Sequence, residues 1–77
     1  MPTLLTSHRP LAHHRGFDLA LRPHVEGYRF EIRDATLTLH ASAPSYRTPV
    51  SAVRAARLFI DDALRTFGSD ARRAIAA

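Results

Sequence analysis

The stretch YRFEIRDATLTLH, residues 28–40, alternates apolar and polar side chains almost throughout. Tyr28, Phe30 and Ile32 fall on one side, and Arg29, Glu31 and Arg33 on the other. After Asp34-Ala35, Leu37 and Leu39 alternate with Thr38 and His40. Successive side chains of a strand point to opposite faces, so a period of two marks a half-buried strand. The stretch predicts two strands with one greasy face and one wet face. This is the tightest constraint on the chain, because a sheet with a single apolar face must be covered on that face.

Upstream, GFDLALRP repeats the pattern. Phe17, Leu19 and Leu21 alternate with Asp18, Ala20 and Arg22, and Pro23 is expected to end the strand. PHVEG reads as a turn in which Gly27 is free to take positive φ. Two registers of this first hairpin keep the apolar faces matched. Leu21 opposite Tyr28 sets Asp18 against Glu31, whereas a shift of two sets Asp18 against Arg33. Opposed like charges are unfavourable, which tips the choice to the second register. In the second hairpin Ala35 is a poor residue for a tight mirror-image turn. A wider loop is expected there, with Ile32 opposite Leu37, Phe30 opposite Leu39 and Tyr28 opposite Ala41.

SAPSYRTP then breaks the alternation, and Thr48-Pro49 has the form of a helix start. The helix is predicted to run to about Phe67, with Gly68 as its stop. Val53, Ala56, Ile60, Ala63, Leu64 and Phe67 form its apolar stripe, with Phe59 at the margin. Ala55, Leu58 and Asp62 point away from the core, and Asp61 is spaced to pair with Arg57 and Arg65. The fold expected is α+β: a three-stranded antiparallel meander with one C-terminal helix packed on one face, β-β-β-α. Residues 1–15 are read as a loosely ordered arm in which Leu4 and Leu5 are available to pack, residues 16–68 as the domain, and residues 69–77 as a short tail that adds at most a helical turn.

Seventy-seven residues make one domain. The chain has no cysteine, which removes disulfides and thiolate zinc sites. No apolar run approaches the ~20 residues of a membrane span, and the opening residues lack the apolar centre of a signal peptide, so a cytoplasmic location without membrane contact is expected. The formal net charge is +4, but residues 17–68 hold seven arginines against six acids. Arg9, Arg15, Arg72 and Arg73 carry most of the excess on the two ends. All eleven basic residues are arginine, and lysine, asparagine and glutamine are absent beside abundant alanine. That bias fits codon composition better than selection for phosphate binding.

The segments GYRFEIRDA and HASAPSYRTPVSA resemble the repeat unit of the YegP-like small-domain family. The matching positions are Gly27, Tyr28, Arg29 and Phe30, then Ala41 and Ser42, then Tyr46, Thr48, Ser51 and Ala52. The chain departs from that pattern at Asp34-Ala35, where the family has Asn-Gly, and at Ser45, where it has glycine; the family's lysine after the helix start is also missing. A second similarity is to HicB-like antitoxin domains, through the Gly-Tyr strand and the Thr-capped helix. The first resemblance implies the same β-β-β-α fold, a tendency to pair domains, and no established activity.

Four groups of residues are candidates for function. Asp18, Arg22, Arg29, Glu31, Arg33, Thr36, Thr38, His40 and Ser42 form the polar sheet face. Arg22, Arg29 and Arg33 there could grip base edges in a major groove, with Arg9, Arg15, Arg72 and Arg73 on phosphates. Asp18 and Glu31 would repel phosphate, and no aromatic side chain points outward to stack on a base. His8, His13 and His14 have the chemistry of metal ligands, but neighbours in an extended chain diverge and no acid lies among them. His40 with Ser42 or Thr38 lacks an orienting acid, and Asp61-Asp62 point about 100° apart on the helix. The outer helix surface, Leu58 with Phe59, is the expected partner surface. Together these favour a small non-enzymatic protein-interaction module that self-associates, through a sheet edge or the bare sheet face as well as the outer helix surface, with no cofactor, metal or small-molecule substrate. The alternative is DNA or RNA binding through the arginine-bearing face.

Overall fold

The computed structural model describes residues 12–77. The expectations for Leu4, Leu5, His8 and Arg9 lie outside the described residues. A four-stranded antiparallel sheet runs in chain order: β1 (Ala12–His14), β2 (Phe17–His24), β3 (Gly27–Asp34) and β4 (Leu37–Ala41). Helix α1 (Pro49–Phe67) follows, then a 3-10 turn (Gly68–Asp70) and the short helix α2 (Ala71–Ala76). The class is the α+β expected, with the antiparallel meander and the helix on one face. The strand count is corrected from three to four. Ala12, His13 and His14 pair with Leu19, Asp18 and Phe17 across a two-residue turn at Arg15-Gly16. Three residues give too short an alternation to stand out from the segment that precedes them.

Between β2 and β3 the register is the charge-matched one. Asp18 faces Arg33 and Leu21 faces Phe30. Pro23 does not end the strand: β2 continues to His24, which pairs with Gly27. Proline is tolerated near a strand end where its missing N–H leaves little of the ladder unmade.

The second hairpin departs from expectation. Its turn is tight, with Ala35 itself at φ +56°, and Asp34 faces Leu37 while Arg33 faces Thr38. The register then shifts, so that Ile32 faces His40 and Glu31 faces Ala41. Leu39 is the extra residue of a β-bulge, a feature that re-aims side chains. Here it places both Leu39 and His40 on the helix side. His40 therefore leaves the polar face to which alternation assigns it.

Phe17, Leu19, Phe30, Ile32 and Leu39 from the sheet meet Ala56, Ile60 and Ala63 from α1. The helix begins and ends where its signals stand. The Thr48 side chain accepts a hydrogen bond from the Ser51 amide, the Ser51 hydroxyl caps the Thr48 amide in return, and Pro49 fills the first helical position. The stripe holds for Ala56, Ile60 and Ala63, with Val53 and Leu64 half-buried against the core. Phe67 is 53 % exposed, contrary to expectation. Its place is taken by the residues after Gly68, because Ala71 and Ile75 of α2 enter the core. Ala55 also packs partly against the core rather than facing away. Among the described residues no helix is long and apolar enough to cross a membrane.

Candidate functional site

The two broad surfaces left by this fold are the outer face of the sheet and the outer face of α1. Strand pairing brings Arg22 directly opposite Arg29, and Glu31 lies one step along the same face, opposite Ala20 and Ala41. With alanine on both sides, the arginine stems can close over the carboxylate, and Glu31 is only 5 % exposed. Its Oε2 accepts from Arg22 Nε at 3.1 Å and lies 3.6 Å from Arg29 Nη2. Asp18 is held from the other side by His13 at 2.5 Å. Arg33 donates to the Thr36 carbonyl at 3.2 Å. Glu31 thus neutralises the two arginines that stand closest together. Like charges placed directly opposite would otherwise repel.

The remaining polar candidates are dispersed. His13 and His14 project to opposite faces of β1, and no cluster of three metal-ligating side chains occurs among the described residues. His40 stacks on Phe59 with ring centroids 4.4 Å apart, close to Phe30 as well. Ser42 accepts from the Phe30 amide at 2.9 Å, and Thr38 remains on the outer face. His40, Ser42 and Thr38 are therefore not brought together. Asp61 and Asp62 part as expected, though with different partners from those their spacing implied. Asp61 accepts from His14 Nε2 at 2.6 Å and from Arg15 Nη1 at 3.3 Å, and Arg65 pairs with Asp62 instead. The His14 hydrogen bond, reinforced by the nearby Arg15, holds the Asp61 carboxyl below its usual range. Arg72 reaches back to Asp34 at 2.5 Å, and Arg73 is exposed on α2.

The outer face of α1 is different in character. Leu58 is 62 % exposed and Val50 68 % exposed. Pro49, Val50, Val53, Arg54, Arg57 and Leu58 line a shallow open groove of about 610 Å³. Phe59 is turned sideways onto His40 and is only partly open. Of the two residues expected on a partner surface, Leu58 lies in the groove and Phe59 lies on the β4 flank. Val50 is an addition, because one exposed valine beside a helix start carries no signal of its own. The His14–Asp61 contact is another, since nothing in the chain links residues 47 positions apart. Comparison of the chain with protein-family models, with curated proteins and with solved structures found no match.

Proposed function

We propose that this chain is a small non-enzymatic protein-interaction module that works through the outer face of α1, self-association included. The observation that carries the reading is that Val50 and Leu58, two turns apart on the outer side of α1, are both exposed and line one shallow groove together with Pro49, Val53, Arg54 and Arg57. Single exposed apolar residues are ordinary, but several apolar side chains lining one groove among arginines have the form of a docking surface. The alternative, nucleic-acid binding by Arg22, Arg29 and Arg33, is weakened by Glu31, which occupies the first two.

Affinity capture from the native cell extract tests the reading with three baits: the unaltered chain, Leu58→Glu, and the Arg22/Arg29/Arg33 triple alanine variant. Capture lost with Leu58→Glu and kept with the triple variant supports it. The reverse pattern moves function to the sheet face. Captured nucleic acid whose binding weakens with a log–log salt slope near −0.9 per phosphate contacted would favour the alternative.

A further inference from the structure

The outer row of α1 carries a pattern that describes its own partner. Arg54, Leu58 and Asp62 stand at i, i+4 and i+8, so they form one row along the helix, and all three are exposed. The row reads cation, leucine, anion. Run backwards beside itself it is complementary, with each cation next to an anion and leucine next to leucine. We propose that a second copy of this chain docks on α1 in antiparallel orientation, about a two-fold axis at Leu58, with Arg54 of each copy beside Asp62 of the other. This rests on the outer face of α1 being the interaction surface, and it names the occupant.

Three observations favour this register. Asp61, the only other acid on the helix, is already held by His14 and Arg15, which leaves Asp62 as the carboxylate facing outward. The partner Asp62 does have, Arg65, is three positions away on the same helix, and both side chains are more than half exposed. Such a pair is weak and can be shared with a second arginine. Finally, the two-fold register matches no like charges by position along the row: Arg57 corresponds to Phe59 of the other copy. Arg65 corresponds likewise to Ser51 and Asp61 to Ala55.

The geometry is one that helices adopt readily. Rows of i±4 side chains on two helices become parallel at a crossing angle of about −50°, with axes about 8–10 Å apart. Subtracting the Cα radius of about 2.3 Å on each side leaves roughly 3.5–5.5 Å as the closest approach of the two backbones, so Leu58 Cα atoms near the axis come within about 7 Å of each other. A two-fold, self-matching contact is the commonest form of homo-oligomer. One helix face per copy is a smaller contact than the roughly 1,200–2,000 Å² of stable specific interfaces, so the dimer is expected to be weak and to dissociate on dilution.

Sedimentation equilibrium and a cysteine crosslink test the proposal together. The unaltered chain should show dimer mass that falls away on dilution. Arg54→Asp alone or Asp62→Arg alone sets like charges together at both ends of the contact and should weaken association on the order of tenfold or more. The double variant Arg54→Asp/Asp62→Arg re-forms both pairs and should recover most of that loss. Because the chain has no cysteine, Leu58→Cys provides a single thiol at the axis, within the ~7 Å Cα limit of a disulfide. Mild oxidation should give a covalent dimer, whereas Thr38→Cys on the outer sheet face should not. A monomer at every concentration would overturn the proposal, as would a double variant no better than the singles or equal crosslinking at the two thiols. A monomer whose capture of another protein is still lost with Leu58→Glu would leave the interaction module standing and remove only the self-pairing. Association undiminished in Leu58→Glu would remove the surface itself.

Discussion

Gly27→Ala is the substitution whose cost can be read most fully from the fold. Gly27 sits at φ +135°, and a Cβ placed there would lie 2.7 Å from the Tyr46 carbonyl oxygen. That oxygen cannot yield freely. It accepts from the Tyr28 amide at 2.7 Å, and the Tyr46 amide donates to the Tyr28 carbonyl at 3.2 Å. Those two bonds fasten the connection from β4 to α1 against the start of β3. Backbone strain at such a φ is worth about 1–3 kcal/mol, and each displaced hydrogen bond about 0.5–1.5 kcal/mol. A loss of roughly 2–6 kcal/mol follows, which in a domain of this size is a fall in Tm of more than about 8 °C. Gly16→Ala is the control. Gly16 also has positive φ, +92°, but nothing lies within 4 Å of where its Cβ would stand, so it reports strain without displacement. Urea denaturation followed by circular dichroism should give a lower midpoint for Gly27→Ala than for Gly16→Ala, with unchanged slope. Equal losses at the two glycines would refute the claim that the approach of Tyr46 is what requires glycine at position 27.

Other outcomes follow from single contacts. Thr48→Ala removes the side-chain half of the capping box and should cost about 1 kcal/mol in the same assay. Glu31→Ala strips the buried carboxylate from between Arg22 and Arg29 and should cost about 1.5–3 kcal/mol, whereas an unchanged midpoint would show that the arginines hold the face without it. The Asp61 carboxyl titrates lower in the folded chain than in the unfolded one, so its contribution is present above the unfolded carboxylate range and is lost as pH falls through the folded value. Asp61→Asn should accordingly shrink the acid-side decline in urea midpoint, and a decline of the same depth would place the acid sensitivity elsewhere.

Much of this architecture was legible because local signals agreed with one another. Thr48-Pro49 and Gly68 mark the two ends of α1 by chemistry that acts within one turn. The β2–β3 register was legible because charge separates two pairings that hydrophobicity alone leaves equal, and Asp18 does face Arg33. The bulge at Leu39 was not, since Leu39 stays inside with or without it. What the bulge decides is the side taken by His40, and that depends on Phe59 waiting on α1. Ala35 at φ +56° shows the same limit: a local preference for a wider loop gave way to the tertiary pairing of the strands it joins. Of the candidate surface, Leu58 was legible from helical phase. Glu31 was assigned to a wet face and is buried there, because alternation gives the side a residue takes and not what its neighbours lay over it.

The central claim is that the chain meets its partner through the exposed row on α1 and leaves the outer sheet face free. Amide chemical shifts followed while the protein is diluted from millimolar to micromolar concentration test it residue by residue. Concentration-dependent shifts should gather at Arg54, Leu58, Asp62 and Arg65, with Arg22, Glu31 and Arg33 unmoved. Shifts gathered on the sheet face or along β4, with α1 silent, would contradict it.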